Sequence, residues 1–294
     1  MTRHYATVCR DWQLPILLAS MRRHCGDFLL HTLDWDWAPR RPLESPAMPE
    51  VSYTPRIAFL DRHPEYSPDL LPGPPRRPVD EVVTMRWRFF ADVMEATGEP
   101  LTCIDGDLWF WSSPEPMFVE IGAAGLAVSP HDIPRATAGL PGVTHETHRR
   151  YGLWNAGLVY MADPSVAEEM ARLNREWSYT EVRERADGDY DFGDQGHLER
   201  VILRRRPEKT MAGVHSIQHP GVNAAPWNIH RRGVSTWDGQ VKVGHLPLIA
   251  YHYSSFRPGA QLADEAYEIT ARQAELLYAP YIAEVERWKT KTPS

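Results

Sequence analysis

Apolar residues recur along the chain in two rhythms: short unbroken runs that suit buried strands, and stripes three or four apart that suit one helix face. Tyr5 to Cys9 is a run of the first kind. Asp11 follows as a helix N-cap, with Pro15 in the first turn and Leu14, Leu17, Leu18 and Met21 on one face. Gly26 supplies the stop. Phe28 to Leu33 is a second strand, so the chain opens β-α-β, the usual start of a parallel sheet with right-handed crossovers. Asp80 to Thr97 carries a helical stripe of Val83, Trp87, Phe90 and Met94 ended by Gly98, and Leu101 to Ile104 is a short strand. Leu126 to Ser129, Leu158 to Met161 and Leu248 to Tyr253 read as strands. Helices are expected from Pro164 to about Tyr179, from Asp194 to Leu203 and from Gln261 to about Trp288. This alternation predicts an α/β fold with a mixed, mostly parallel sheet flanked by helices.

One stretch breaks the rhythm. From Ala38 to Val79 prolines crowd the chain, and only Arg56 to Leu60 reads as a strand. Long irregular segments in compact domains tend to be functional or disordered. The stretch fits a lid or partner surface and equally a passive wrap over the sheet edge. The expected organisation is a single catalytic domain over 1–260, with this insertion at about 38–79, and a C-terminal helix over 261–294 packed on it.

Composition narrows the function classes. The net charge of -7 over 294 residues argues against a protein that grips nucleic acid over its whole surface, since phosphate binding needs a field of Lys and Arg. Three cysteines, Cys9, Cys25 and Cys103, have no metal-type spacing, and Cys9 and Cys103 fall in apolar runs as small buried hydrophobes. No apolar run approaches the length that spans a bilayer and no signal segment opens the sequence, so a cytoplasmic location is expected.

The candidate chemistry begins at the end of the Leu101 to Ile104 strand. Asp105-Gly106-Asp107 places two carboxylates two residues apart on either side of a residue without a side chain. Such a pair can converge on one hard divalent cation, Mg²⁺ or Mn²⁺, which typically bridges carboxylates to substrate phosphates. Open α/β sheets hold ligands at this edge, beyond the strand ends. His252, at another strand end, is a candidate nitrogen ligand for the same ion. Tyr151 to Gly157 reads as a turn in which small residues flank Asn155, and Asp194 reads as a helix N-cap with Gln195 beside it. His219 to Asn228 reads as too polar and kinked for core and too particular in composition for a linker.

Taken in order, these segments resemble the retaining GT-A glycosyltransferases of the glycogenin and bacterial lipopolysaccharide galactosyltransferase type, glycosyltransferase family 8. Tyr5 to Cys9 is similar to that family's nucleotide-binding first strand, and Asp105-Gly106-Asp107 to its DxD metal motif. Asn155-Ala156-Gly157 resembles its Asn-x-Gly sugar-binding segment, and Gly193-Asp194-Gln195-Gly196 its Asp-Gln motif. His252 followed by Arg257-Pro258 is similar to its late His-x-x-Gly-x-x-Lys-Pro-Trp segment. Ser255 and Arg257 stand where Gly and Lys are expected, and no Trp follows Pro258. The resemblance implies a GT-A fold, Mn²⁺ or Mg²⁺ as cofactor and a nucleotide-sugar donor, a UDP-sugar, whose hexose passes to an acceptor hydroxyl with retention. It implies metal ligation by Asp105, Asp107 and His252, with Asp105 shared between metal and ribose. Thr7 and Asp11 would lie near the base, Arg257 near the phosphates, and Arg86 near the phosphates or the sugar. Asn155, Gly157, Asp194 and Gln195 would surround the sugar.

The acceptor is open between a saccharide and a hydroxymethylated DNA base, with Trp109, Trp111, Trp154 and Trp227 as stacking surfaces for either. The saccharide is the default reading. A nucleotidyltransferase would need a Gly-rich, Lys-bearing loop after the first strand, which Thr7 to Asp11 does not offer. A catalytically idle sugar-binding protein would not need the intact DGD and Asp-Gln segments.

Overall fold

A computed structural model describes residues 2–10, 12–34, 48–67, 78–131, 154–176, 193–204, 213–253 and 270–291, with 78–80, 193 and 230–232 as backbone only. Strand β1 (Arg3–Cys9) leads into helix α1 (Gln13–His24) and back into β2 (Phe28–Asp34), which pairs in parallel with β1 from Arg3↔Phe28 to Cys9↔Asp34. The expected β-α-β opening is therefore present. Asp11 lies outside the described residues. The residue preceding α1 is Trp12, and the Gln13 Oε1 accepts from the Arg10 backbone N–H at 2.9 Å.

Inside the proline-rich stretch the chain is more integral than expected. Residues 48–67 contain β3 (Val51–Thr54), which adds to the sheet beside β2, and helix α2 (Arg56–Arg62). The strand expected over Arg56 to Leu60 is thus a helix, and the strand lies just before it. Pro55 explains the switch: its fixed φ of -61° and ψ of 140° end the extended run. Burial then recurs at helical spacing, with Arg56 and Phe59 inward and Ile57 exposed. Arg56 pairs with Glu81 at 3.2 Å, both buried, which fastens α2 to the next helix.

Helix α3 (Pro78–Thr97) and strand β4 (Leu101–Ile104) follow as expected, then β5 (Leu108–Phe110), α4 (Glu115–Ile121) and β6 (Leu126–Pro130). Strand β7 (Trp154–Met161) is twice the length anticipated, because Trp154 to Gly157, read as a turn, is its first half. Helices α5 (Pro164–Glu176) and α6 (Gly193–Arg204) match their expected positions; the end anticipated near Tyr179 lies outside the described residues. Strand β8 (Val214–Ser216), helix α7 (Pro226–Arg232) and the strands β9 (Val234–Trp237), β10 (Gln240–Val243), β11 (Leu246–Pro247) and β12 (Ala250–His252) complete the order before the C-terminal helix. That helix starts at Ala271, passes through a π-helical turn at Ala274–Tyr278 and continues as α8 (Ala279–Lys291).

The main sheet has the order β3-β2-β1-β4-β7-β6-β8, with β7 alone antiparallel to its neighbours. This is the mixed, mostly parallel sheet that the sequence predicts. One face is covered by α3, α5 and α6, burying Trp87, Phe90, Met170 and Leu198, and the other by α1 and α4, burying Leu17, Met21 and Phe118. Each such side chain contributes about 1.5–3 kcal/mol through burial. A third cluster joins β12 to the C-terminal helix: Tyr253 stacks on Tyr281 at 3.9 Å and donates from its hydroxyl to Leu277 O at 2.6 Å. Cys9, Cys25 and Cys103 are all buried and unbridged, as expected for the first and last.

Glu120, on α4, fastens the segment after β8. Its carboxylate accepts from the backbone N–H groups of Gln218 and His219 and from His215 Nε2. Burial raises its pKa, but these donors outweigh burial and hold it below its ordinary value of 4.5. A depressed carboxylate stabilises the fold fully above 4.5 and loses that contribution as pH falls through its lower folded-state value. Glu120→Gln is expected to lower the urea midpoint at neutral pH and to converge on wild type as pH falls well below 4.5. A gap unchanged across that range would contradict the assignment.

Candidate active site

Because β7 runs antiparallel to β4, its beginning lies beside the end of β4. The register Ile104↔Leu158 sets Asp105 opposite Gly157, and the Asp105 backbone N–H donates to Gly157 O at 2.9 Å. The DxD turn and the Asn155–Gly157 segment, far apart in sequence, thus meet at one sheet edge. The turn then feeds β5, which pairs antiparallel with β12 in the register Leu108↔His252. That pairing delivers His252 to the two aspartates, and the Tyr253 N–H donating to Asp107 O at 3.0 Å closes the corner.

His252 Nε2 lies 3.0 Å from Asp107 Oδ1 and 3.5 Å from Asp105 Oδ2, and one ligand atom from each of the three residues falls within 4.8 Å of the others. Adjacent ligands of an octahedral cation with bonds of about 2.1 Å stand about 3 Å apart. Two carboxylate oxygens and one imidazole nitrogen at these separations fit Mg²⁺ or Mn²⁺. Burial raises the pKa of Asp105, above its usual value despite Arg86 and His252. For Asp107 burial pushes the same way, but the charge and hydrogen bond of His252 outweigh it and the pKa falls. Burial lowers that of His252, and the two carboxylates more than offset this and raise it.

Arg86, on α3, reaches into the same edge. Its guanidinium donates to Asp105 Oδ1 at 3.0 Å and to Ala156 O at 2.7 Å, and lies 3.4 Å from Asp194 Oδ2. Burial lowers its pKa, but Asp105 and Asp194 outweigh that and the charged form is favoured. Asp194 was expected as an N-cap. Instead α6 starts at Gly193, leaving Asp194 in the first turn, with its carboxylate accepting from Trp87 Nε1 at 3.3 Å. Gln195 follows with its Oε1 buried and without a hydrogen-bond partner among the described residues.

Asn155 is more committed than a sugar-binding amide would be. Its Oδ1 accepts from Gly157 N at 2.7 Å and from Asn223 Nδ2 at 2.8 Å, and its Nδ2 meets His131 Nε2 at 2.9 Å. Thr7 is fully buried in β1, with its Oγ1 unpartnered among the described residues. Asp11 and Arg257 lie outside the described residues. Of the four tryptophans, Trp109 is buried against Tyr281, so it belongs to the core and not to a substrate surface. Trp227 is buried edge-on to His252, with ring centroids 5.4 Å apart, while Trp111 and Trp154 are partly buried.

Sequence reasoning missed His131, Asn223 and Asn228 as parts of this edge. The segment His219 to Asn228 was judged too polar for core, yet Val222 to Ile229 is buried throughout. Two of its amides are paired inward: Asn228 Oδ1 accepts from Ala225 N at 2.9 Å, and Asn223 Nδ2 donates to Asn155 Oδ1 at 2.8 Å. The one sequence signal was Asn223 itself, an amide residue of the type that tolerates left-handed backbone, which it adopts at φ 50°.

No protein-family model matches the chain. Among curated proteins it is 27% identical over 305 residues to the uncharacterized protein YfnD of Bacillus subtilis (strain 168), covering 98% of this chain and 90% of the relative. The uncharacterized YfnF of the same organism is 28% identical over 268 residues, with 87% and 82% covered. Among solved structures, the glycosyltransferase GlyE of Streptococcus pneumoniae TIGR4 superimposes with a TM-score of 0.53 at 16% identity, covering 99% of this chain and 64% of that one. The galactosyltransferase LgtC, solved with donor and acceptor sugar analogs, gives a TM-score of 0.56 at 13% identity, with 98% and 100% covered. Mouse xyloside xylosyltransferase 1 gives 0.50 at 15%, covering 87% and 98%. At these identities the likeness is one of fold, and the chain has the GT-A glycosyltransferase fold that its motifs resemble.

The geometry makes Gly157 a sharp test of this edge. A Cβ there would stand 2.7 Å from both Asn155 Oδ1 and His252 Cε1. Gly157→Ala is expected to cost about 1–3 kcal/mol by urea unfolding, as overpacking does, and to weaken Mn²⁺ binding by moving His252. Unchanged stability with unchanged Mn²⁺ binding would show that the niche is not as tight as described.

Proposed function

We propose that the protein is a metal-dependent glycosyltransferase that moves a hexose from a UDP-sugar to a saccharide hydroxyl with retention. The observation that carries this reading is the meeting of Asp105, Asp107 and His252 at the C-terminal sheet edge of a GT-A fold. In this reading the three hold one Mn²⁺ or Mg²⁺ against the donor diphosphate. When bound, such an ion neutralises charge developing on the leaving phosphate as the sugar C1–O bond breaks.

The chain's own residues do the rest. Arg86 bridges Asp105 and Asp194, at 3.0 and 3.4 Å, and holds both in place across the site. Asp194 and Gln195, at the start of α6, face the sugar, with Gln195 Oε1 as an acceptor for a sugar hydroxyl. Asn155 acts on the sugar side through the one Nδ2 hydrogen its network leaves over, and Gly157 admits the close approach of His252. On the family resemblance, Asp11 would serve the base side and Arg257 would take the phosphate-facing role of the family's lysine, while Thr7, fully buried in β1, would support that side from within the strand. We read 1–260 as the catalytic domain and 261–294 as a C-terminal segment whose described helix, Ala271 to Lys291, packs beside the strand that carries His252.

Support for a saccharide acceptor comes from the fold neighbours, one solved with an acceptor sugar analog and another named for a xyloside. The comparisons give no support to a DNA-base acceptor. No helix among the described residues is long and apolar enough to cross a membrane. The test is a panel of UDP-sugars with Mn²⁺, scored for UDP release by wild type and Asp107→Ala. Turnover of at least one donor, abolished by chelation, is expected. In the variant it should fall by more than the roughly 10–100-fold typical of losing an outer-shell partner. Metal-independent turnover, or turnover unaffected by Asp107→Ala, would sink the reading.

A further inference from the structure

We infer that Asn223 is a positioning residue that couples the two halves of the candidate metal site, an inference that rests on the metal-dependent reading above. The two halves come from different pairings. Asp105 and Asp107 follow β4, and His252 ends β12. The segment carrying Asn223 is bonded to both.

On one side the link runs through the side chain. Asn223 Nδ2 donates to Asn155 Oδ1 at 2.8 Å, the same oxygen accepts from Gly157 N at 2.7 Å, and Gly157 O accepts from Asp105 N at 2.9 Å. Two donors converging on Oδ1 fix which way the Asn155 amide faces, because a flipped amide would set its own N–H groups against both. On the other side the link runs through the backbone. Ala224 N donates to Ala250 O at 2.9 Å, and His252 N donates to Ala224 O at 2.7 Å, so the residue after Asn223 holds the His252 main chain. Trp227, four residues on, packs its ring edge-on to His252.

Asn223 suits this place for two reasons. Its backbone is left-handed at φ 50°, where amide residues and glycine are tolerated and most others are strained. Asn223 is 1% exposed, so its Nδ2 is held by Asn155 without competition from solvent, its Oδ1 has no hydrogen-bond partner among the described residues, and Asn228 Nδ2 approaches Asn223 O at 3.4 Å from the following helix. A ligand set assembled from two strands needs such a cross-tie, since partners behind the ligands set their orientation.

Asn223→Gly removes the amide and keeps the left-handed backbone without strain. Asn223→Asp is isosteric and tolerates the same backbone but turns a carboxylate oxygen toward Asn155 Oδ1. Both are compared with wild type in Mn²⁺-dependent UDP binding by calorimetry and in hydrogen exchange at the Gly157 amide. For both variants the expected result is a roughly 10–100-fold weaker Mn²⁺·UDP complex. Exchange at Gly157 is expected to quicken, with a far-ultraviolet spectrum like that of wild type. Wild-type binding together with unchanged Gly157 protection in Asn223→Gly overturns the inference. A wild type that binds neither Mn²⁺ nor UDP overturns the proposed function instead, and the Gly157 exchange then still decides whether Asn223 is the clamp.

Discussion

The hydrogen bond from Asp105 N–H to Gly157 C=O is the point on which the candidate site depends. It exists because one strand of the sheet, β7, runs against its neighbours, so that its first residues lie beside the last residue of β4. Gly106 makes the same turn possible from below: a Cβ there would fall 2.4 Å from the Cβ of Cys9, at the end of β1. Three strands therefore fix where the carboxylates point. The strand geometry is what the two apolar faces of the sheet stabilise, so the site inherits its rigidity from the core.

That rigidity has an electrostatic consequence. Three carboxylates, Asp105, Asp107 and Asp194, converge on one edge with Arg86 and His252 as their cations. Buried charges persist when paired, and removing one partner leaves the others uncompensated. Arg86 serves Asp105 and Asp194 together, which leaves Asp107 to His252. A divalent ion bound between Asp105, Asp107 and His252 would take over that second pairing, and the imidazole would then serve as a neutral ligand. The same edge thus has one permanent counter-charge, Arg86, and one place for an exchangeable one.

Much of this was legible from local pattern. The β-α-β opening, α3, β4 and the DxD turn follow from periodicity and glycine stops, and their order carried the family resemblance to a fold that the solved neighbours share. His252 was legible as a ligand candidate, but not the pairing of β5 with β12 that brings it in, because strands of three residues leave too little periodicity to read. Asn155 to Gly157 looked like a turn since small residues usually mark turns. In the structure they belong to a strand, and Gly157 lacks a side chain where the His252 ring comes close. Arg56 to Leu60 looked like a strand because five residues cannot separate a period of 2 from one of 3.6. The buried amides Asn223 and Asn228 were hidden by the general rule that polar residues face water; their partners are distant in sequence, so nothing local announced them.

The central claim is that Asp105, Asp107 and His252 hold one divalent ion. Anomalous diffraction at the manganese edge, from crystals grown with MnCl₂ and UDP, tests it most directly. A single strong peak is expected within bonding distance of an oxygen of each aspartate and of His252 Nε2. No peak at that place, or a peak bonded to other residues, would contradict it.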